Sequence, residues 1–316
     1  PEIAPKEKIG RISGYGWSFG YVGGLIALAL GLLLFINPEI PIFNLDKSTH
    51  EHIRGTNIMV AIWFAVFSIP TFLFVNEDHR SGKKKTNLIA DSIKQVRETF
   101  RNVRQYREMT RFLIARLIYN DGLITVFAFG GIYAAGTFDF SFQEIMIFAI
   151  VLNVAAGLGA FLMGFLDDFI GGKQTIQISN YGLILACIIA VVAPNRDLFN
   201  IALPIIGDTI ISGKTLFWLS GILIGIFSGP NQASSRSLMA RFVPQGKENE
   251  FFGFFAFSGK ATAFLGPFFL GYFTQLFNSQ RYGIAVVLCL LVIGTIMLQS
   301  VDEEAGMATA QSPDIT

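Results

Sequence analysis

Apolar residues fall in eight long blocks along the chain, near 13–37, 57–75, 112–136, 142–166, 176–194, 215–235, 251–277 and 282–300. A helix crosses a hydrocarbon core about 30 Å thick with roughly 17–25 such residues, so each block predicts one membrane span. Polar positions gather in short loops between the blocks and in one long stretch, 76–111. Within that stretch Ile89, Ile93, Val96, Phe100 and Val103 recur at steps of four and three, while Lys94, Arg97, Arg101 and Arg104 mostly take the other faces. The pattern describes an amphipathic helix, led in by the basic run from His79 to Lys85, that can lie on anionic lipids over 79–107. A solvated connector whose charge sets topology gives the same pattern.

Composition agrees with the blocks. The 316 residues are 52% apolar and include 32 Phe, and only 15% are charged, against about 25% in soluble domains. The fold class is therefore an all-α polytopic membrane protein. A net charge of +1 gives no nucleic-acid footprint. Cys187 and Cys289 both lie inside apolar blocks and read as packing residues, and no cofactor motif or metal-ligand set is visible. His50 and His52 are two imidazoles in one loop, too few for a metal site by themselves.

Alternating the loops across a membrane puts seventeen of the 24 Lys and Arg on one side, ten of them in 76–111. The other side holds Lys47, Arg54, Arg196, Lys214 and Arg281. The positive-inside rule then makes both ends of the chain cytoplasmic, and a bacterial inner membrane is the expected location. The remaining two, Arg116 and Lys260, stand inside spans.

Two entries into spans match at an offset of 239. Pro5, Lys8, Gly14 and Gly20 coincide with Pro244, Lys247, Gly253 and Gly259, and Tyr15 pairs with Phe254. Both run in the same direction, as a parallel repeat about the membrane normal requires. The repeat unit is then six spans. The expected organisation is 1–75 as the last two helices of an N-terminal half, 76–111 as a cytoplasmic connector, 112–300 as a complete C-terminal half, and 301–316 as a disordered acidic tail. A chain that opens on Pro1 and holds eight of twelve expected helices reads as lacking four N-terminal ones.

Between the fourth and fifth blocks lies Gly164-Phe-Leu-Asp167-Asp168-Phe-Ile-Gly171-Gly172-Lys173. It resembles the cytoplasmic loop motif of the major facilitator superfamily: glycine, three residues, aspartate, a basic residue, any residue, glycine and two basic residues. Phe169 replaces the first basic residue and Gly172 stands where Arg is common. Gly164 allows close helix approach, Asp168 can cap the next helix or hold a basic partner, Gly171 turns the chain, and Lys173 supplies charge, so these four form a candidate cytoplasmic gate. The stretches 116–122 with 127–133, 229–237 and 251–267 are similar to the "unknown major facilitator" family, which is related to the autophagy-related vacuolar amino-acid effluxers of fungi. That resemblance implies a major facilitator fold and a transport role.

Asp121 lies about ten residues inside its block, where a charge costs at least about 2.5–3.5 kcal/mol on insertion scales. At about 1.5 Å per residue, Asp121, Asn153, Lys260 and Tyr21 share one depth near the midplane. Lys260 is the expected counter-charge of Asp121. Such a pair serves either as a substrate or proton site or as an interhelical salt bridge. Arg116 and Asn120 share a face and sit nearer the gate, Tyr119 belongs to the same candidate pathway, and Asn231 and Gln232 follow the helix-breaking Pro230. The function these residues support is secondary active transport of a small polar solute, with amino acids suggested by the resemblance and a proton as coupling ion. The alternatives are a non-transporting scaffold or sensor, or a carrier of sugars or lipids. No enzyme-like cluster of acids, His or Cys lies at a membrane face.

Overall fold

The computed structural model describes residues 5–74, 103–194 and 212–311. Every regular element among them is helical. The principal helices are α1 (Ile9–Gly31), α2 (Glu51–Phe74), α3 (Arg107–Phe138), α4 (Phe142–Ile170), α5 (Gly172–Val192), α6 (Gly213–Phe242), α7 (Glu248–Ser258), α8 (Leu265–Leu276), α9 (Gln280–Gln299) and α10 (Glu303–Gln311). Most of the basic segment 79–107 lies outside the described residues, so its amphipathic face is not placed.

Among the described residues six helical stretches are long and apolar enough to cross a membrane: Ile9–Ile36, Glu51–Phe74, Arg107–Phe138, Gln143–Ile170, Gly172–Val192 and Gln280–Gln299. Two of the eight expected spans differ for physical reasons. The block at 215–235 is helical, as α6, but its inward faces carry Ser220, Ser228, Asn231, Ser234, Ser235 and Ser237, all buried. It is packed chiefly between α4 and α5, so protein takes the place that lipid has around a more apolar helix. The block at 251–277 is not one helix: α7 ends at Ser258, turns occupy 259–264, and α8 begins at Leu265.

Local chemistry accounts for several boundaries. Ser141 opens α4 with a capping box, its hydroxyl accepting from Glu144 N at 3.3 Å while the Glu144 carboxylate accepts from Ser141 N at 2.8 Å. One residue, Gly171, joins α4 to α5 at φ 95, ψ 159, a region open essentially to glycine alone. Close approach of α4 and α6 depends on bare backbone. A Cβ on Gly159 would collide with Ile226 O, and one on Gly229 with Ala156 O.

The chain divides into two units, residues 1–19 with 98–316 and residues 20–97. The edge of the smaller unit falls inside α1. In the first unit an aromatic core of Tyr133, Phe138, Phe140, Phe148, Phe217 and Trp218 ties α3, α4 and α6 at the end away from Gly171, with ring centroids 4.7–6.0 Å apart. The tail expected to be disordered is in part α10, whose Gly306 seats against the Phe242 ring.

In the second unit a hairpin closes where Gly55 meets Phe35 and Leu45. Its loop is ordered by Asp46, whose carboxylate accepts from the amide and hydroxyl of Ser48, each at 2.7 Å. The Ser48 hydroxyl, then its amide, hold this exposed carboxyl below its usual range. The hairpin's apolar side chains face outward, Phe64 at 76% and Phe72 at 84% exposure, as lipid-facing residues do.

Candidate functional site

Two polar assemblies are built into the larger unit. The inner one is assembled by one face and a half of α3. Asp121 is 2% exposed. Its Oδ2 accepts from Gly266 N at 3.1 Å, while Oδ1 is buried and receives no hydrogen bond among the described residues. One turn earlier Arg116 Nη1 donates to Phe255 O and to Ser258 Oγ, both at 2.9 Å. The guanidinium carbon lies 3.7 Å from the Phe255 ring centroid, close enough for a cation–π contact. Asn120 Nδ2 donates to Gly259 O at 3.2 Å, and its Oδ1 accepts from Gln232 Nε2 at 2.8 Å.

Helix ends explain this placement. The last carbonyls of α7 are electron-rich and face the Arg116 cation, whereas the first amides of α8 are electron-poor and face the Asp121 anion. At the start of α8, Leu265 N bonds Thr262 O at 2.8 Å, Gly266 N bonds Asp121, and Pro267 has no N–H to place. Gly266 is required there, since a Cβ would run into Thr125 Oγ1.

The network continues into α6 and α5. Ser235 Oγ donates to Asn231 O at 2.6 Å, which leaves the Tyr119 hydroxyl as the donor in its 2.8 Å contact with Ser235. Asn231 Nδ2 donates to Asn180 Oδ1 at 2.7 Å, and Asn180 Nδ2 and Asn231 Oδ1 remain without partners among the described residues. Asn180 was not singled out from the sequence; a carboxamide within the 176–194 block was the available signal.

The structure thus brings together Arg116, Tyr119, Asn120, Asp121, Asn231 and Gln232. It does not join Lys260 to them. Lys260 lies exposed in the turn at 259–264, and no ion pair links it to Asp121. The depth count assumed a continuous helix; because the helix breaks at Gly259, a backbone amide meets the carboxylate and the ammonium does not. Asn153 is half-buried on α4 and donates to Ala149 O of its own helix at 2.7 Å. Tyr21 is a half-buried residue of α1 in the smaller unit.

The outer assembly is centred on the 164–173 motif. Gly164 lets α4 approach Arg11 and Gly14 of α1. Asp168 does not cap the next helix. It accepts from Gly10 N at 2.8 Å and Arg11 Nε at 2.6 Å, so it caps α1 and pairs with a base there. The helix that follows Gly171, α5, is capped by Glu303, which accepts from Gly172 N at 3.0 Å and Lys173 N at 2.9 Å. The Lys173 ammonium donates to Gln299 O at 3.1 Å. Asp167, 1% exposed, accepts from Arg241 Nη2 and Ser237 Oγ, both at 2.6 Å, and Arg241 Nη1 reaches Glu303 at 3.2 Å. Arg241 and Glu303 escaped the sequence reading because both lie more than sixty residues from the motif. Phe169, where a basic residue is usual, is 87% exposed, and Arg241 supplies the positive charge from another helix.

The sequence profile of the family described as "Vacuole effluxer Atg22 like" matches residues 3–311. A Bacillus subtilis (strain 168) protein named "Uncharacterized MFS-type transporter YxiO" is 25% identical over 311 residues, 98% of this chain and 67% of that protein. "Autophagy-related protein 22" of Cryptococcus neoformans var. neoformans serotype D (strain JEC21) is 25% identical over 95% of this chain and 52% of its own length. The Saccharomyces cerevisiae (strain S288c) protein of that name is 24% identical over 95% of this chain and 58% of its own. The chain thus spans between half and two thirds of the curated relatives it matches. With six membrane-length helices, buried intramembrane polar groups and a profile match along almost its whole length, the chain belongs to the Atg22-like vacuole effluxer family.

Proposed function

We propose that the chain forms eight membrane crossings of a secondary active transporter, with α7 and α8 together making one broken crossing, and that it moves a small polar solute by alternating access. In this reading α3 to α9 are one six-helix half, and both ends of the chain are cytoplasmic in a bacterial inner membrane. The observation that carries it is the Asp121 carboxylate, buried within a membrane-length helix at a helix break with Oδ1 unpartnered. Intramembrane carboxylates held at discontinuous helices are where secondary transporters bind substrates and coupling ions. Oδ1 accepts either a substrate ammonium group or a coupling proton, and Asn120 and Gln232, bonded to each other at 2.8 Å, extend the network from α3 to α6.

The outer assembly supplies a gate. Asp168–Arg11 and Asp167–Arg241–Glu303 hold the ends of α1, α4, α5, α6 and α10 together through bonds of 2.6–3.2 Å, and a gate opens by exchanging such bonds for others. Amino acids are the substrate class proposed, because the relatives include autophagy-related effluxers and because carboxylate and guanidinium groups together complement a zwitterion.

Counterflow by the full-length protein in liposomes, with a pool of radiolabelled amino acids and a parallel panel of sugars, tests this. Exchange of at least one amino acid supports the proposal. Exchange of sugars alone overturns the substrate class, and no exchange across both panels overturns transport.

A further inference from the structure

We propose that residues 259–264 are a hinge clamped at both ends by α3, and that Asp121 is the positioning residue whose protonation loosens the clamp on α8. This rests on reading α3 to α9 as a transporter half, and it adds which element moves and what releases it. The clamp has two jaws. Arg116 and Asn120 hold the outgoing end of α7 through Phe255 O, Ser258 Oγ and Gly259 O. Asp121 holds the incoming end of α8 through Gly266 N alone. Between the jaws Thr262 Oγ1 reaches Leu117 O of α3 at 3.4 Å.

The jaws are unequal in a way that matters. The Arg116 jaw has three bonds and a ring beneath it, and a guanidinium does not deprotonate in proteins. The Asp121 jaw has one bond, and its second oxygen is buried without a donor. A proton taken from water forms an O–H bond at Oδ1 and leaves the carboxyl neutral. The bond from Gly266 N to Oδ2 then loses its charge assistance and roughly half its strength. Pro267 offers no N–H of its own and cannot replace it.

Among the described residues no ion pair offsets this. On α3 the neighbouring titratable groups are Arg116 and Tyr119, engaged with α7 and with Ser235. The hinge carries Lys260, which is exposed, α8 carries Tyr272, and the middle of α9 carries Cys289. Glu108 and Arg111 of α3, Glu144, Asp167 and Asp168 of α4, Lys214, Arg236 and Arg241 of α6, Glu248 and Glu250 of α7, Arg281 and Tyr282 of α9 and Glu303 and Glu304 of α10 lie toward helix ends. None of these groups forms an ion pair with Asp121.

Amide hydrogen exchange on the full-length protein in lipid nanodiscs, without solute, reads the clamp directly. After correction for intrinsic chemistry, wild-type peptides covering 259–270 should exchange about fivefold faster at acid than at alkaline pH. Asp121→Asn keeps an acceptor for Gly266 N but cannot titrate, so its exchange should be the same at both. Asp121→Ala should exchange fast at both, with peptides of 280–299 unchanged as a control for folding. A wild-type profile flat with pH, or a pH dependence that survives in Asp121→Asn, overturns the hinge. Because no solute is present, a pH-dependent hinge in a protein that moves nothing would sink the transport reading alone. Flux lost in Asp121→Asn with a flat wild-type exchange profile would sink the hinge alone.

Discussion

A carboxylate inside a membrane persists when something compensates it, and in this chain the compensation at Asp121 is a peptide N–H at the start of α8. The same solution recurs twice. Asp168 sits at the first amides of α1 and Glu303 at those of α5, so three helix starts are each capped by an acid from elsewhere in the chain. The oddity of Asp121 was legible from its position in an apolar block. Its partner was not, because Lys260 offered a full charge at the same count, whereas a backbone amide leaves no mark in a sequence. Arg241 is the residue on which the outer assembly most depends, since it faces both Asp167 and Glu303. Arg241→Ala strands a carboxylate that is 1% exposed. Breaking a buried pair in this way costs about 3–5 kcal/mol. Thermal unfolding in detergent should show a clearly lowered midpoint for Arg241→Ala and a smaller drop for Asp167→Asn, Ser237 and Arg241 both being left in place; equal midpoints for wild type and Arg241→Ala would refute the ion network.

At the scale of elements, what the sequence showed well was length and mean polarity. Blocks of apolar residues gave α1 to α5 and α9, and the Gly164–Lys173 motif gave the sharp junction between α4 and α5. The break between α7 and α8 was less legible. Gly259, Gly266 and Pro267 are the residues that interrupt a helix, yet Phe and Ala on both sides keep the block apolar throughout, so its length alone suggested one helix. Helix α10 was hidden for the opposite reason: its polar composition resembles a free tail, and it is fixed by Glu303 and by the seat of Gly306 on Phe242. The junction itself is testable. Gly171→Ala places a Cβ in a backbone region that only glycine favours and against the Glu303 carboxylate. A strain of about 1–3 kcal/mol is expected, read as a lower melting midpoint together with faster hydrogen exchange at the first turn of α5. Unchanged exchange there would show that the junction adopts another backbone conformation.

At the scale of the whole molecule, the length of the apolar blocks and the low share of charged residues were enough to assign a polytopic membrane protein, and the family match agrees with that class. The outward-facing apolar side chains of α2 and the buried polar face of α6 suit the proposed orientation and the proposed six-helix halves. Sequence reasoning places groups by depth along a helix. It does not say which helix stops, and that single event moved the chemistry of this protein from a Lys–Asp pair to a carboxylate with one oxygen committed and one open. Of the two occupants proposed for the open oxygen, the hinge favours the coupling proton. Uptake of the amino acids that pass counterflow, measured in liposomes of full-length protein across proton gradients of either sign, tests it most directly. Wild type should accumulate solute under one of the two gradients, and Asp121→Asn should fail to accumulate it under either. Accumulation by Asp121→Asn equal to wild type would rule out Oδ1 as the proton site.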